Sequence, residues 1–102
     1  TAAALLAPFP EFDPYVLERH HRLKKDAPSG TAKVLAGILE ASGGRRRNAS
    51  CSLSEPLPDD AFHVTALRAG GIVGDHTVGF DSGEDEGARR DGHVLATVRL
   101  LA

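Results

Sequence analysis

A chain of 102 residues has room for one compact domain around one modest hydrophobic core. Hydrophobic residues make up 41% and charged residues 25%, an ordinary globular balance, and a net charge of -2 excludes a global field that would recruit nucleic acid or an acidic membrane surface. The single cysteine, Cys51, excludes an internal disulfide, and the apolar run Ala2 to Ala7 is too short to span a bilayer.

Thr1 to Ala7 reads as the last turns of a helix, halted by Pro8 and Pro10. Asp13-Pro14 is a turn signal, and Tyr15 to Arg19 reads as a strand. The polar stretch His20 to Pro28 has no sustained period and reads as a loop. A helix is expected from Ser29, because Ala32, Leu35, Ala36, Ile38 and Leu39 recur at helical spacing. Ser42-Gly43-Gly44 ends it, glycine being suited to the left-handed turn after a helix.

Residues Arg45 to Asp60 read as a long connection, with Arg45-Arg46-Arg47 a solvated loop. His63 to Arg68 alternates well enough for a strand, Ala69 to Gly74 is a glycine-punctuated bend, and His76 to Phe80 resumes extended structure. Asp81 to Gly92 is a charged connection, and His93 to Leu101 is the clearest strand, with Val94, Ala96, Val98 and Leu100 on one face. The order helix, strand, helix, three strands predicts an α+β fold: one domain over residues 1–102, a sheet of about four strands and helices on one face. The start without Met and the apolar end Leu100-Leu101-Ala102 read as cuts in a longer, cytoplasmic parent chain.

One stretch concentrates chemistry: Glu18-Arg19-His20-His21-Arg22-Leu23-Lys24-Lys25-Asp26-Ala27-Pro28-Ser29-Gly30-Thr31-Ala32. Histidine titrates near neutrality, so His20 or His21 could donate a proton, and Lys24 could hold charge against an anion. The first turn of a helix leaves backbone N–H groups unpaired, so Ser29, Gly30 and Thr31 could hold a carboxylate. Gly30 would let the ligand approach, and Pro28 is preorganised for a helix start. The plainer reading makes Ser29 and Thr31 helix caps and the histidines ordinary surface groups. No ligand spacing among His20, His21, His63, His76 and His93 points to a metal, so none is expected. The residues alone reach an anion-binding site with acid–base chemistry.

The same stretch closely resembles the dihydrodipicolinate reductase signature Glu-x-His-His-x-x-Lys-x-Asp-Ala-Pro-Ser-Gly-Thr-Ala, with every fixed position present. Leu67 to Thr77 is similar to that family's Arg-x-Gly-x-x-x-Gly-x-His segment, and the resemblance runs from about Ala4 to Phe80. It implies the C-terminal substrate-binding domain, of the glyceraldehyde-3-phosphate dehydrogenase-like type with a mixed sheet, from an enzyme reducing a cyclic intermediate of lysine and diaminopimelate biosynthesis. By resemblance His20 is the general acid, Lys24 assists protonation, His21 contacts substrate, and Ser29, Gly30 and Thr31 bind one carboxylate of a small dicarboxylate. It also implies NADPH or NADH as hydride donor, bound mainly by an N-terminal nucleotide-binding domain outside this chain, and a homotetramer formed through the sheet. Gly70-Gly71-Ile72-Val73-Gly74 has the wrong spacing for that nucleotide turn, and Arg99 stands one residue off the family's usual position. The alternative is a dicarboxylate-binding and oligomerisation module without turnover by itself. An unrelated small α+β protein with a chance basic loop is the third reading.

Overall fold

The structure, a computed structural model, describes residues 13–42, 44–81 and 95–101, the last stretch by its backbone. In chain order these are β1 (Asp13–His20), α1 (Gly30–Ala41), β2 (Asn48–Ser50), β3 (Ala61–Arg68), β4 (Asp75–Asp81) and β5 (Leu95–Leu101). The strands form one sheet in the order β2-β3-β1-β4-β5. β1 runs parallel to β3 and antiparallel to β4, so the sheet is mixed. A parallel pair needs a crossover, and α1 supplies it between β1 and β3.

The α+β architecture is therefore as the pattern of elements implied, with β2 as a fifth, short strand inside the stretch read as a connection. Its three residues pair with Ala61 to His63, too few to show a period in sequence. The helix expected before Pro8, the connection over 82–92, and His93 and Val94 lie outside the described residues.

The core lies between α1 and one face of the sheet. Val16, Phe62, Val64 and Phe80 are buried against Ala32, Ala36 and Leu39, with Leu35 and Val78 packed beside them. Alternation puts Val16 on the same face as its neighbours Val64 and Val78, which makes one apolar row across three strands. Ala32 and Ala36 present only methyl groups, which lets the helix lie close to that row. Ile38, placed on the apolar stripe by its spacing, is instead exposed, because the buried stripe is narrower than the apolar sequence pattern.

Local caps explain where the helix begins and ends. Ser29 is the N-cap, its Oγ accepting the Ala32 N–H at 3.2 Å. Pro28 therefore stands just before the cap, at the start of the helix. At the other end the Ser42 N–H donates to Leu39 O, and its hydroxyl bonds the same carbonyl at 2.6 Å. Ser42 stays right-handed, at φ -77°, and Gly43, where a left-handed turn is expected, lies outside the described residues.

Candidate active site

Sheet register assembles a polar cluster at the C-terminal end of β1. Alternation aims Val16, Glu18 and His20 to the same face, so the core row continues into two polar residues. Glu18 pairs with Ala66 on one side and His76 on the other, and His20 pairs with Arg68. The segment from β3 to β4 crosses the end of β1, where the Ala69 N–H donates to His20 O and the Arg22 N–H to Gly70 O. Gly70 turns at φ 46° and Gly74 at φ 128°, conformations that favour glycine, and the bend delivers His76 beside β1.

The side chains in this cluster touch one another in sequence. Ser29 Oγ lies 3.0 Å from His76 Nε2, which lies 3.3 Å from His20 Nε2. His20 Nε2 is 2.9 Å from Glu18 Oε2, and Glu18 Oε1 is 2.7 Å from Arg68 Nη1. Arg68 Nη2 donates to Asp26 O at 2.6 Å, and the Asp26 carboxylate holds Lys24 Nζ at 2.9 Å. Glu18 has no exposed surface, and Ser29, His20 and His76 are buried with it. A buried carboxylate requires paired charge, which Arg68 provides at Oε1, while the His20 ring lies against Oε2.

Burial is the largest influence on His20 and pushes its pKa below the usual imidazole value. Glu18 opposes that shift, whereas His76, Arg68 and Lys24 reinforce it. Lys24 draws the Asp26 carboxyl below its ordinary range, helped by backbone N–H groups of Asp26 itself and Gly30. An internal carboxylate thus rests at the start of α1, in the electrostatic position a ligand carboxylate would seek.

Of the residues singled out in the sequence, His20, Lys24 and Ser29 belong to this connected set. Ser29 is a helix cap, and its hydroxyl also meets His76, so it is already engaged. Gly30 and Thr31 follow it, both exposed on the first turn of α1. His21 lies apart: it is exposed, and its Nδ1 accepts the Leu23 N–H at 3.2 Å within its own turn. Sequence reasoning gave no role to Glu18, Arg68, Asp26 or His76. Glu18 stands two residues before His20, which on a strand means the same face, so that signal was present. His76 is 56 residues from His20, and only sheet register brings them together.

A family model described as dihydrodipicolinate reductase, C-terminus, matches residues 1–88. The chain is 47% identical over 70 residues to the 4-hydroxy-tetrahydrodipicolinate reductase of Methanoculleus marisnigri, a match covering 69% of this chain and 28% of that relative. It is 49% identical over 70 residues to the enzyme of the same name from Aquifex aeolicus, covering 68% of this chain and 26% of the relative. The chain thus spans about a quarter of the length of these curated relatives. A solved structure described as dipicolinate-bound dihydrodipicolinate reductase from Paenisporosarcina sp. superposes with a TM-score of 0.65 at 24% identity, over 99% of this chain and 37% of that one, a likeness of fold. With both signature segments folded into one cluster and the family match running over most of its length, this chain belongs to the dihydrodipicolinate reductase family and corresponds to its C-terminal part.

Proposed function

We propose that this chain forms the substrate pocket and proton donor of a complete 4-hydroxy-tetrahydrodipicolinate reductase, which yields tetrahydrodipicolinate on the route to lysine and diaminopimelate. The observation that carries this reading is the buried line from Glu18 through His20 and His76 to the capped start of α1. One carboxylate of the dicarboxylate substrate binds at Gly30 and Thr31, displacing Asp26 from Lys24 and the Gly30 N–H. Ser29 fixes the first turn of the helix, and His21 reaches the ligand from the exposed side. Glu18 and Arg68 hold the His20 ring in place. The arriving negative charge raises the His20 pKa from its lowered value, so substrate binding loads the proton that His20 then gives up. Lys24 supports the charge that develops during that transfer.

The described residues do not fit a dinucleotide cradle. The Gly70 to Gly74 bend joins two strands, and no helix starts there to face a pyrophosphate. The donor, NADPH or NADH, belongs in this reading to a separate nucleotide-binding domain, and residues 1–102 form one substrate-binding and oligomerisation domain. Among the described residues no helix is long and apolar enough to cross a membrane. A cytoplasmic homotetramer is the setting we propose.

Steady-state kinetics of the complete enzyme at saturating cofactor test the assignment. His20→Gln and Lys24→Ala are expected to lower kcat by about 100-fold or more, with a smaller effect on KM. Thr31→Val is expected to raise KM more than it lowers kcat, because a carboxylate contact persists in ground and transition states alike. Near-normal kcat in His20→Gln would remove His20 as the proton donor. A change confined to KM in Lys24→Ala would make Lys24 an anchor only.

A further inference from the structure

The same cluster has a second chemical capability. Glu18, His20 and His76 each offer one ligand atom, and these atoms lie within 4.8 Å of one another. Ligands on a tetrahedral zinc at about 2.0–2.1 Å stand roughly 3.3 Å apart along each edge of the tetrahedron. The His20 Nε2 to His76 Nε2 separation is 3.3 Å, and His20 Nε2 to Glu18 Oε2 is 2.9 Å. Two imidazoles and a carboxylate form the donor set that borderline-soft divalent cations prefer. All three residues are buried, so little rotamer freedom remains to be lost on coordination.

The surroundings also suit a metal. Arg68 holds Glu18 Oε1 at 2.7 Å and leaves Oε2 beside His20 Nε2, as an outer partner orients a ligating carboxylate. His76 Nδ1 is buried without a hydrogen-bond partner among the described residues, so with Nε2 ligating, the ring proton on Nδ1 requires a water as its acceptor. Its Nε2 is then available as the unprotonated, ligating atom once the Ser29 contact is given up, and Ser29 Oγ keeps the Ala32 N–H. No spacing in the sequence suggested this set, because His20 on β1 and His76 on β4 are 56 residues apart.

We propose that Glu18, His20 and His76 form a tetrahedral binding site for a zinc-class divalent cation, with the fourth position taken by water or a ligand oxygen. A metal seated there occupies His20 Nε2. If the functional reading above holds, it therefore blocks the proton donor and inhibits the reductase.

The test uses the complete protein carrying this chain, freed of metal and titrated with Zn²⁺ against a chromophoric chelator. One zinc per chain is expected. His20→Gln or His76→Gln should weaken binding by about tenfold or more, while His63→Gln on another part of the sheet leaves it unchanged. Co²⁺ added to the unsubstituted protein should give the intense visible absorption of four-coordination, a readout that needs no variant to fold. Failure to compete with the chelator, zinc binding that survives both substitutions, or only the weak spectrum of six-coordinate Co²⁺ would overturn the site. Benzene-1,3-dicarboxylate, which lacks the ring nitrogen that would itself chelate zinc, separates this from the functional reading. Its binding to metal-free protein tests the dicarboxylate pocket. Zinc binding in a protein that ignores this dicarboxylate supports the metal site and counts against the pocket.

Discussion

At the scale of single residues, His20 sits between opposing influences. Burial pushes its pKa below the ordinary 6.5, Glu18 pulls it up, and His76, Arg68 and Lys24 push it down. Each influence has a separate handle. In the metal-free protein, Glu18→Gln removes the one group that favours the imidazolium, so the His20 titration midpoint should fall further. His76→Gln removes a group that disfavours it, so the midpoint should rise, and a bound dicarboxylate should raise it in the unsubstituted protein. Proton-detected NMR titration of the ring resonances reads all three shifts. A midpoint that moves the same way in both variants would show that Glu18 and His76 act by packing, not by charge. The sign for stability follows. An unfolded chain takes up the His20 proton near 6.5, before the folded chain does. His20 therefore contributes no penalty above that value and costs stability as pH falls from it to the lowered midpoint.

At the scale of elements, β1 shows what one strand does with two faces. Its even-numbered side chains run from the core into the buried polar cluster, and its odd-numbered ones line the opposite face. On that second face Tyr15 pairs directly with Gly79 of β4. A Cβ built on Gly79 would fall inside the contact distance of the Tyr15 ring, so the glycine is there to let the ring lie flat across the neighbouring strand. Gly79→Ala should cost about 1–3 kcal/mol by driving the ring out of its place. Denaturant melts would measure it, and Tyr15→Ala in the same chain should return part of the loss. Equal losses with and without the tyrosine would place the cause in the backbone. Strands such as β3 and β4 were legible because their alternation survives in sequence, and α1 because Ala32, Ala36 and Leu39 keep helical spacing. β2 was not, since Asn48 to Ser50 is polar and its pairing with β3 is a tertiary matter. The site was half legible for the same reason. His20, Lys24 and Ser29 of the candidate site stand in one local stretch and read directly, whereas Arg68 and His76 join them through register alone.

At the scale of the molecule, the sheet has one face under α1 and another with no helix on it among the described residues. Tyr15, Leu17, Thr65, Leu67 and Thr77 lie on that second face by alternation from the core positions, and the Arg19–Asp75 ion pair ties β1 to β4 beside them. Leu17 is half-buried even there, while Leu67 is 43% exposed. A sheet covered on one side alone leaves apolar surface to water, and the proposed homotetramer covers it with a second copy, face to face. Because the two faces are separate, assembly and ligand binding should be separable too. Leu67→Asp places a charge where the partner sheet would exclude water, an arrangement that leaves the carboxylate unpaired. The expected outcome in the complete protein is dissociation, seen by sedimentation velocity as a shift to lower mass at concentrations where the unsubstituted protein stays assembled. Since Leu67 already sits partly in water, the protomer should keep its fold and its dicarboxylate affinity within about twofold, a margin under 0.5 kcal/mol. Assembly that is indifferent to Leu67→Asp would move the interface off this face. Loss of assembly together with loss of dicarboxylate binding would show instead that a neighbouring protomer helps to build the pocket.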